Sequence, residues 1–370
     1  MGYSAADESF THQLPVPFDQ VHSPDGSWSD RCYFFVHSPD GELLITTGYG
    51  NNPNQGTSNS YGKVALADGR HWDFMAGRRI NSADQHELRA GPMRWTCLEP
   101  LKRWRVELGP NESGIEWDME YSPRVPMWEL LPMHVAVDGQ TIVDMYHIKQ
   151  AGQWTGWVQI DGERTSVDGF PGGRDRTFGV RVADQISFWL WLDIGFEDRA
   201  IEAWIIEAPD GSVQYVDGGI THADGTLSKR FVKIEHEIEF DADRKRPTGA
   251  VIVFTDEDGV EHRVVGESTH LDVGVYYGQP LAKMTVDRPA PGEYFLQFPW
   301  NSRDRDELVA VEGQAMSNDQ LMRFEYDGMS GYGVFEILTG ETGPERYPNN
   351  WPSMDMTPFR QKARTPKPQQ

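Results

Sequence analysis

The sequence repeatedly sets an Asp-Gly pair between two runs of alternating apolar and polar residues. The pair falls at Asp40-Gly41 in "RCYFFVHSPDGELLITTGYG", at Asp138-Gly139 in "MHVAVDGQTIVDMYHIKQ" and at Asp161-Gly162 in "WTGWVQIDGERTSVDGF". It recurs at Asp210-Gly211 in "AWIIEAPDGSVQYVDGG" and at Asp258-Gly259 in "AVIVFTDEDGVEHRVVGES". Glycine reaches φ > 0 at no steric cost, and a tight hairpin needs that conformation. Hairpins in series dictate antiparallel sandwiches or barrels, so the fold class is all-β. The run Phe188 to Leu192 is continuously apolar, as in a strand covered on both faces. Helical signal is confined to Ser82–Ala90 and Ser317–Asp327, each opened by a capping-type serine.

A chain of 370 residues has room for two such units. The polar, basic stretch "HADGTLSKRFVK" separates a tryptophan-dense region from a second hairpin series. The expected organisation is an N-terminal β domain over 1–230, a C-terminal β domain over 231–345, and a Pro-rich, partly disordered tail over 346–370.

Charge removes several functions. At −23, the chain cannot release counterions from a phosphate backbone, so nucleic acid is excluded as a partner, and an anionic membrane surface would repel it. No apolar run is long enough to span a bilayer, and the N-terminus lacks the basic and apolar regions of a signal peptide. The expected location is the cytoplasm. Cys32 and Cys97 show no zinc spacing; two buried thiols are expected, with a disulfide as the other option. Oligomeric state is left open.

No nucleophile elbow, phosphate-binding loop, zinc helix or dinucleotide fingerprint is present, so neither a cofactor nor a metal is expected. His134, His147, His236, His262 and His270 each stand singly on presumptive strands. What remains is "GFPGGRDRTFGVR", Gly169 to Arg181, where Asp175 stands between Arg174 and Arg176. Either this is a charged, solvated turn, or its glycines let the backbone approach a ligand while Asp175 points inward. In the second case desolvation raises the aspartate's pKa and a neighbouring guanidinium lowers it.

The run from Trp154 to Arg181 resembles the central motif of the carotenoid 1,2-hydratase and hydroxyneurosporene-synthase-like superfamily, which includes fungal cyclases of Diels–Alder type. There a strand with Gly and Trp leads to a Gly-rich segment with an Arg–x–Asp-type core. "EPLKRWRVEL" and "GYGVFEIL" resemble an uncharacterised bacterial branch of the same group, which extends the likeness to about Trp28–Leu338. The resemblance implies two lipocalin-like β-barrel halves around an apolar cavity, with Asp175 as the proton-transferring residue. Arg174, Arg176 and Phe178 stand where the hydratases carry tyrosine, histidine and tryptophan. An arginine beside Asp175 implies a carboxylate acting as base or anchor.

The other candidates follow from strand geometry. His147 is placed to reach the same cavity, and Glu336 is a carboxylate inside the apolar strand "VFEIL", costly there unless paired or used. Trp154 and Trp157, three apart, face opposite sides, so one is expected to line the cavity. Phe178, Tyr276 and Tyr332 complete the expected substrate walls, with Arg174 as a polar contact. The function expected is a cofactor-independent lyase or isomerase (hydration, dehydration, isomerisation or cyclisation) acting on an apolar terpenoid-, steroid- or polyketide-like molecule. The alternative is a non-catalytic carrier of a hydrophobic small molecule, in which Arg174 and Asp175 pair structurally.

Overall fold

The computed structural model describes residues 2–9, 21–79, 87–111, 113–182, 185–241, 246–276, 293–301, 315–340 and 342–349. The tail beyond residue 349 and most of the first helical candidate lie outside these residues. Among the described residues the strands form two antiparallel sheets, one of fourteen strands and one of eight. The first contains β1 (Trp28–His37), β2 (Leu43–Asn52), β3 (Thr57–Leu66), β4 (Arg70–Arg79), β5 (Arg89–Ala90), β6 (Met93–Glu99) and β7 (Arg103–Leu108). It continues through β8 (Ile115–Pro123), β9 (Trp128–Glu129), β10 (Met133–Val137), β11 (Gln140–Ile160), β12 (Glu163–Ser166) and β13 (Phe170–Arg181). The second holds β14 (Phe188–Gly195), β15 (Arg199–Glu207), β16 (Val213–His222), β17 (Phe231–Phe240), β18 (Pro247–Asp256) and β19 (Glu261–Tyr276). Late in the chain β20 (Glu293–Asn301) returns to pair with β4 of the first sheet, while β21 (Ala315–Tyr326) and β22 (Met329–Thr339) complete the second.

The hairpins stand where the Asp-Gly pairs put them. Gly41, Gly139, Gly162, Gly211 and Gly259 all have positive φ, and at 138–139 and 161–162 the aspartate does too. Two consecutive positive-φ residues make the turn whose twist matches that of the flanking strands. The first sheet is a half-barrel and the second a nearly closed barrel, with β16 and β17 at its two edges: two lipocalin-like halves. The change of sheet falls between Arg181 and Phe188. Sheet membership is a separate matter from independent folding, for which the 1–230 and 231–345 division remains a proposal.

One expectation is corrected. Residues 317–326, read as helical, are strand β21, hydrogen-bonded on one side to β19 and on the other to β22. Two ladders outweigh the weak local preference of "SNDQLMRFEYD" for helix.

Alternation sorts the side chains into apolar clusters, three of them large. Phe34, Trp104, Trp117, Tyr121 and Trp154 fill the half-barrel, while Phe188, Leu190, Leu192, Ile205 and Phe335 fill the barrel. Between the sheets lies a third, with Phe35, Trp189, Trp191, Trp204, Val334 and Leu338. Cys32 is buried and Cys97 half-buried, and both are free thiols. No helix among the described residues is long and apolar enough to cross a membrane.

Candidate active site

Strand β13 is where the two halves of the site separate. Its residues alternate, so Arg174 and Arg176 point into the half-barrel while Asp175 points across the layer toward the second sheet. The sequence reading that an arginine sits beside the Asp175 carboxyl is thereby corrected. Arg174 instead makes a bidentate pair with Glu8, at 2.7 and 3.0 Å, and donates to Gln150 Oε1 at 3.1 Å. Arg176 pairs with Asp30. All four charged groups are buried.

The glycines of the motif are spaces for neighbours. A Cβ on Gly172 would lie 2.1 Å from the Phe35 carbonyl oxygen and 2.6 Å from Trp154 Nε1. A Cβ on Gly173 would lie 2.6 Å from Asp193 Oδ2, so only glycine there lets that carboxylate approach the face that carries Asp175.

Around Asp175 the sheets set out an unusually polar layer. Its cross-strand neighbours are Tyr33 on β1 and Lys149 on β11. His147 Nε2 lies 3.2 Å from Asp175 Oδ2, and His147 Nδ1 lies 3.3 Å from Thr177 Oγ1. Burial holds the imidazole below its usual range despite the attraction of Asp175, which keeps it neutral. The His147 ring meets Trp204 edge-on at 4.8 Å.

The second sheet answers with two carboxyl pairs, each formed by residues directly opposite on adjacent strands. Asp193 on β14 faces Glu202 on β15, and Asp319 on β21 faces Glu336 on β22. Desolvation, reinforced by the Asp319 charge, pushes Glu336 well above the carboxylate range, while burial raises Asp319 to about 6 against the hydrogen bonds it takes from Tyr33 and Glu336. The two are hydrogen-bonded to each other, so they share a proton that rests on Glu336. Tyr33 donates to Asp319 Oδ2 at 3.1 Å, and Trp189 Nε1 donates to Glu336 Oε1 at 3.1 Å. In the other pair, burial raises Asp193 to about 7 and Glu202 further. Lys149 serves this pair. Its ammonium lies 3.7 Å from the centre of the Trp191 ring and donates to the Leu192 carbonyl oxygen.

The candidates from sequence divide between several places. Asp175, His147 and Glu336 share the layer between the sheets. Tyr332 lies on the same face of β22 as Glu336 but four residues away, about 13 Å along the strand, where its hydroxyl donates to the Asp40 carbonyl oxygen at 3.2 Å. Arg174, Trp154 and Phe178 belong to the half-barrel side. Trp154 is fully buried and donates to the Phe35 carbonyl oxygen at 2.8 Å, and Phe178 stacks on Tyr146. Trp157 lies near the far end of β11 under the Arg164 guanidinium, 3.5 Å from its ring centre. Tyr276 ends β19, and its side chain lies outside those described. An open cleft of about 610 Å³ sits elsewhere, over Leu43, Leu66, Val158, Ile160 and Phe170, and none of the nine candidates lines it.

Sequence reasoning missed Lys149, Asp193, Glu202, Asp319 and Tyr33. The signal that singled out Glu336, an acid within an apolar strand, also marks Asp193 in "FWLWLDIG" and Glu202 in "AIEAWII". Asp319 sat in the segment misread as helix.

The sequence profile of a family of unknown function (DUF8625) matches residues 4–345. No curated protein matches the sequence. Solved structures match the fold. A Nitrosomonas europaea protein given the name AttH superposes with a TM-score of 0.57 at 14% identity, covering 89% of this chain and 97% of its own. Kievitone hydratase from Nectria haematococca gives 0.55 at 12% identity, covering 85% and 89%. The protein CghA, solved with Sch210972, gives 0.54 at 10% identity, covering 90% and 97%. At these identities the likeness concerns the fold.

Proposed function

The chain belongs to this family of unknown function, and from the layer between its two sheets we propose that it is a cofactor-independent lyase or isomerase. It would move protons in hydration, dehydration, isomerisation or cyclisation of an apolar terpenoid-, steroid- or polyketide-like molecule. One observation carries the reading: a histidine held neutral and a carboxyl held protonated face the same aromatic-walled layer. An acid and a base that coexist at one pH are what concerted proton transfer requires. Kievitone hydratase carries a hydratase's name on a similar fold, and CghA was solved with Sch210972, in keeping with this class of chemistry.

Roles follow from the environments. Glu336 delivers a proton to an alkene carbon or to a departing hydroxyl, and Asp319 keeps that proton on it beforehand. The electron-deficient carbon then lies in a layer that the Trp189, Trp191 and Trp204 rings close to water. Asp175 takes a proton from the adjacent carbon or from an entering water and passes it to the neutral His147 beside it. Tyr33, Asp175 and Glu336 keep accessible surface while His147, Asp319 and Trp191 are buried. A substrate therefore meets the first three on arrival.

The test is isotopic. The intact chain is incubated in D2O with a panel of polyprenyl, steroid and polyketide alkenes and alcohols, and product masses are read. A turned-over compound gains D2O, loses water, or exchanges hydrogen for deuterium. Asp175→Asn, His147→Gln and Glu336→Gln, each checked for an intact fold by circular dichroism, should slow this by about 10²–10⁴-fold. A compound that binds tightly and is returned by the wild type without deuterium would make the protein a carrier.

A further inference from the structure

The opposite face of β13 carries a second arrangement that proton transfer between the sheets does not use. Residues 2–9 contain no strand; their one regular element is a single 3-10 turn, Ala5–Glu8. This short segment reaches into the half-barrel and delivers two groups. The Glu8 carboxylate takes both Nη atoms of Arg174, and its Oε2 also accepts from Trp104 Nε1 at 2.8 Å. The Tyr3 ring stacks on Tyr146, 6.1 Å between centres with planes 5° apart, and Tyr146 in turn stacks on Phe178.

Everything that receives these groups belongs to the sheet. Arg174 is 1% exposed, its Nε is held by Gln150, and its guanidinium lies 5.8 Å from the centre of the Tyr121 ring. A bidentate guanidinium, an indole N–H and an aromatic wall make a built receptor for a carboxylate. What fills it is a carboxylate and an aromatic ring on a short segment outside the ladder. We propose that the half-barrel is a binding site for a monoanionic carboxylic acid with a flat, apolar body, and that residues 2–9 occupy it as an internal stand-in for that ligand. The acid's carboxylate takes the place of Glu8 on Arg174, and its ring or chain takes the place of Tyr3 against Tyr146 and Phe178. The tethered Glu8 competes intramolecularly, so the ligand wins through the apolar surface it buries. The site lies across the sheet from Asp175 and is independent of the catalytic reading.

The experiment uses the full chain, with 4-phenylbutyrate as probe and 4-phenylbutanol as its uncharged control. Glu8→Ala strips Arg174 of its counter-charge and opens the site. Phenylbutyrate should raise the melting temperature of this variant, or restore its folding if it is unfolded, and bind it roughly tenfold or more tightly than the wild type. The alcohol should do neither. In the wild type, saturating phenylbutyrate should speed hydrogen exchange at the amides of residues 2–9. Glu8→Gln, which keeps the shape and loses the charge, should respond as Glu8→Ala does. Equal responses to acid and alcohol in both variants would overturn the proposal, as would residues 2–9 staying fully protected in the wild type at saturation.

Discussion

Asp193→Asn should flatten the dependence of stability on pH. Asp193 is buried with both carboxylate oxygens lacking a hydrogen bond, opposite Glu202 and over Gly173. Its pKa rises to about 7 in the folded chain because burial outweighs the attraction of Lys149, against about 3.9 in an unfolded one. A carboxyl raised on folding contributes stability that is full below the unfolded pKa and is lost as pH rises through the folded one. Between pH 5 and pH 8 the folded chain releases this proton while the unfolded chain has little left to release. The two pH units from 5 to about 7 are worth about 2.7 kcal/mol at 1.36 kcal/mol per unit. Asparagine has the shape of the protonated acid and does not titrate. The assay is urea unfolding followed by tryptophan fluorescence at pH 5 and pH 8 for both proteins. The wild type should lose more stability across that interval than Asp193→Asn, by about 2.7 kcal/mol. Asp319, raised to about 6, contributes a loss of the same sign to both proteins and cancels, whereas Glu202, raised in part by Asp193 itself, adds to the wild-type loss. Equal losses in the two proteins would refute the claim that Asp193 is protonated in the folded chain at pH 5.

Two further outcomes test the motif itself. Gly172→Ala brings a methyl against the Phe35 carbonyl oxygen and Trp154 Nε1, and should cost about 2 kcal/mol or more with a lower melting temperature; an unchanged midpoint would mean the strand gives way freely. Asp30→Ala leaves the Arg176 guanidinium buried without its carboxylate and should cost about 3–5 kcal/mol in urea unfolding, while Asp30→Leu combined with Arg176→Met should recover most of that. A double variant no more stable than the single one would show that Arg176 contributes through contacts other than this pair.

How much of the site was legible differs by residue. Asp175 and Glu336 could be singled out, one from a Gly-rich motif and one from an acid in an apolar strand. The separation of Asp175 from its arginines was also within reach, because neighbours on a strand point to opposite faces. Their partners were not. Glu8 and Asp30 lie 166 and 146 positions from the arginines they neutralise, and nothing local relates them. Trp154 and Trp157 were rightly placed on opposite faces, yet which face met a ligand depended on which sheet, if any, covered it.

Taken alone, the sequence determined the hairpin turns and most of the strands, β21 being the exception. Asp-Gly pairs supply the positive φ that closes a hairpin, and alternation says which residues travel together on a face; both are local properties of a few adjacent residues. Only the tertiary structure decided what each face meets. The His147–Asp175 contact and the Asp193–Glu202 and Asp319–Glu336 pairs arise from strands brought into register by ladders and by the packing of one sheet on another. Their proton affinities arise from the same step. A carboxyl in an extended chain is hydrated and acidic, and it becomes a store of protons only when a second sheet removes its water and sets another acid beside it.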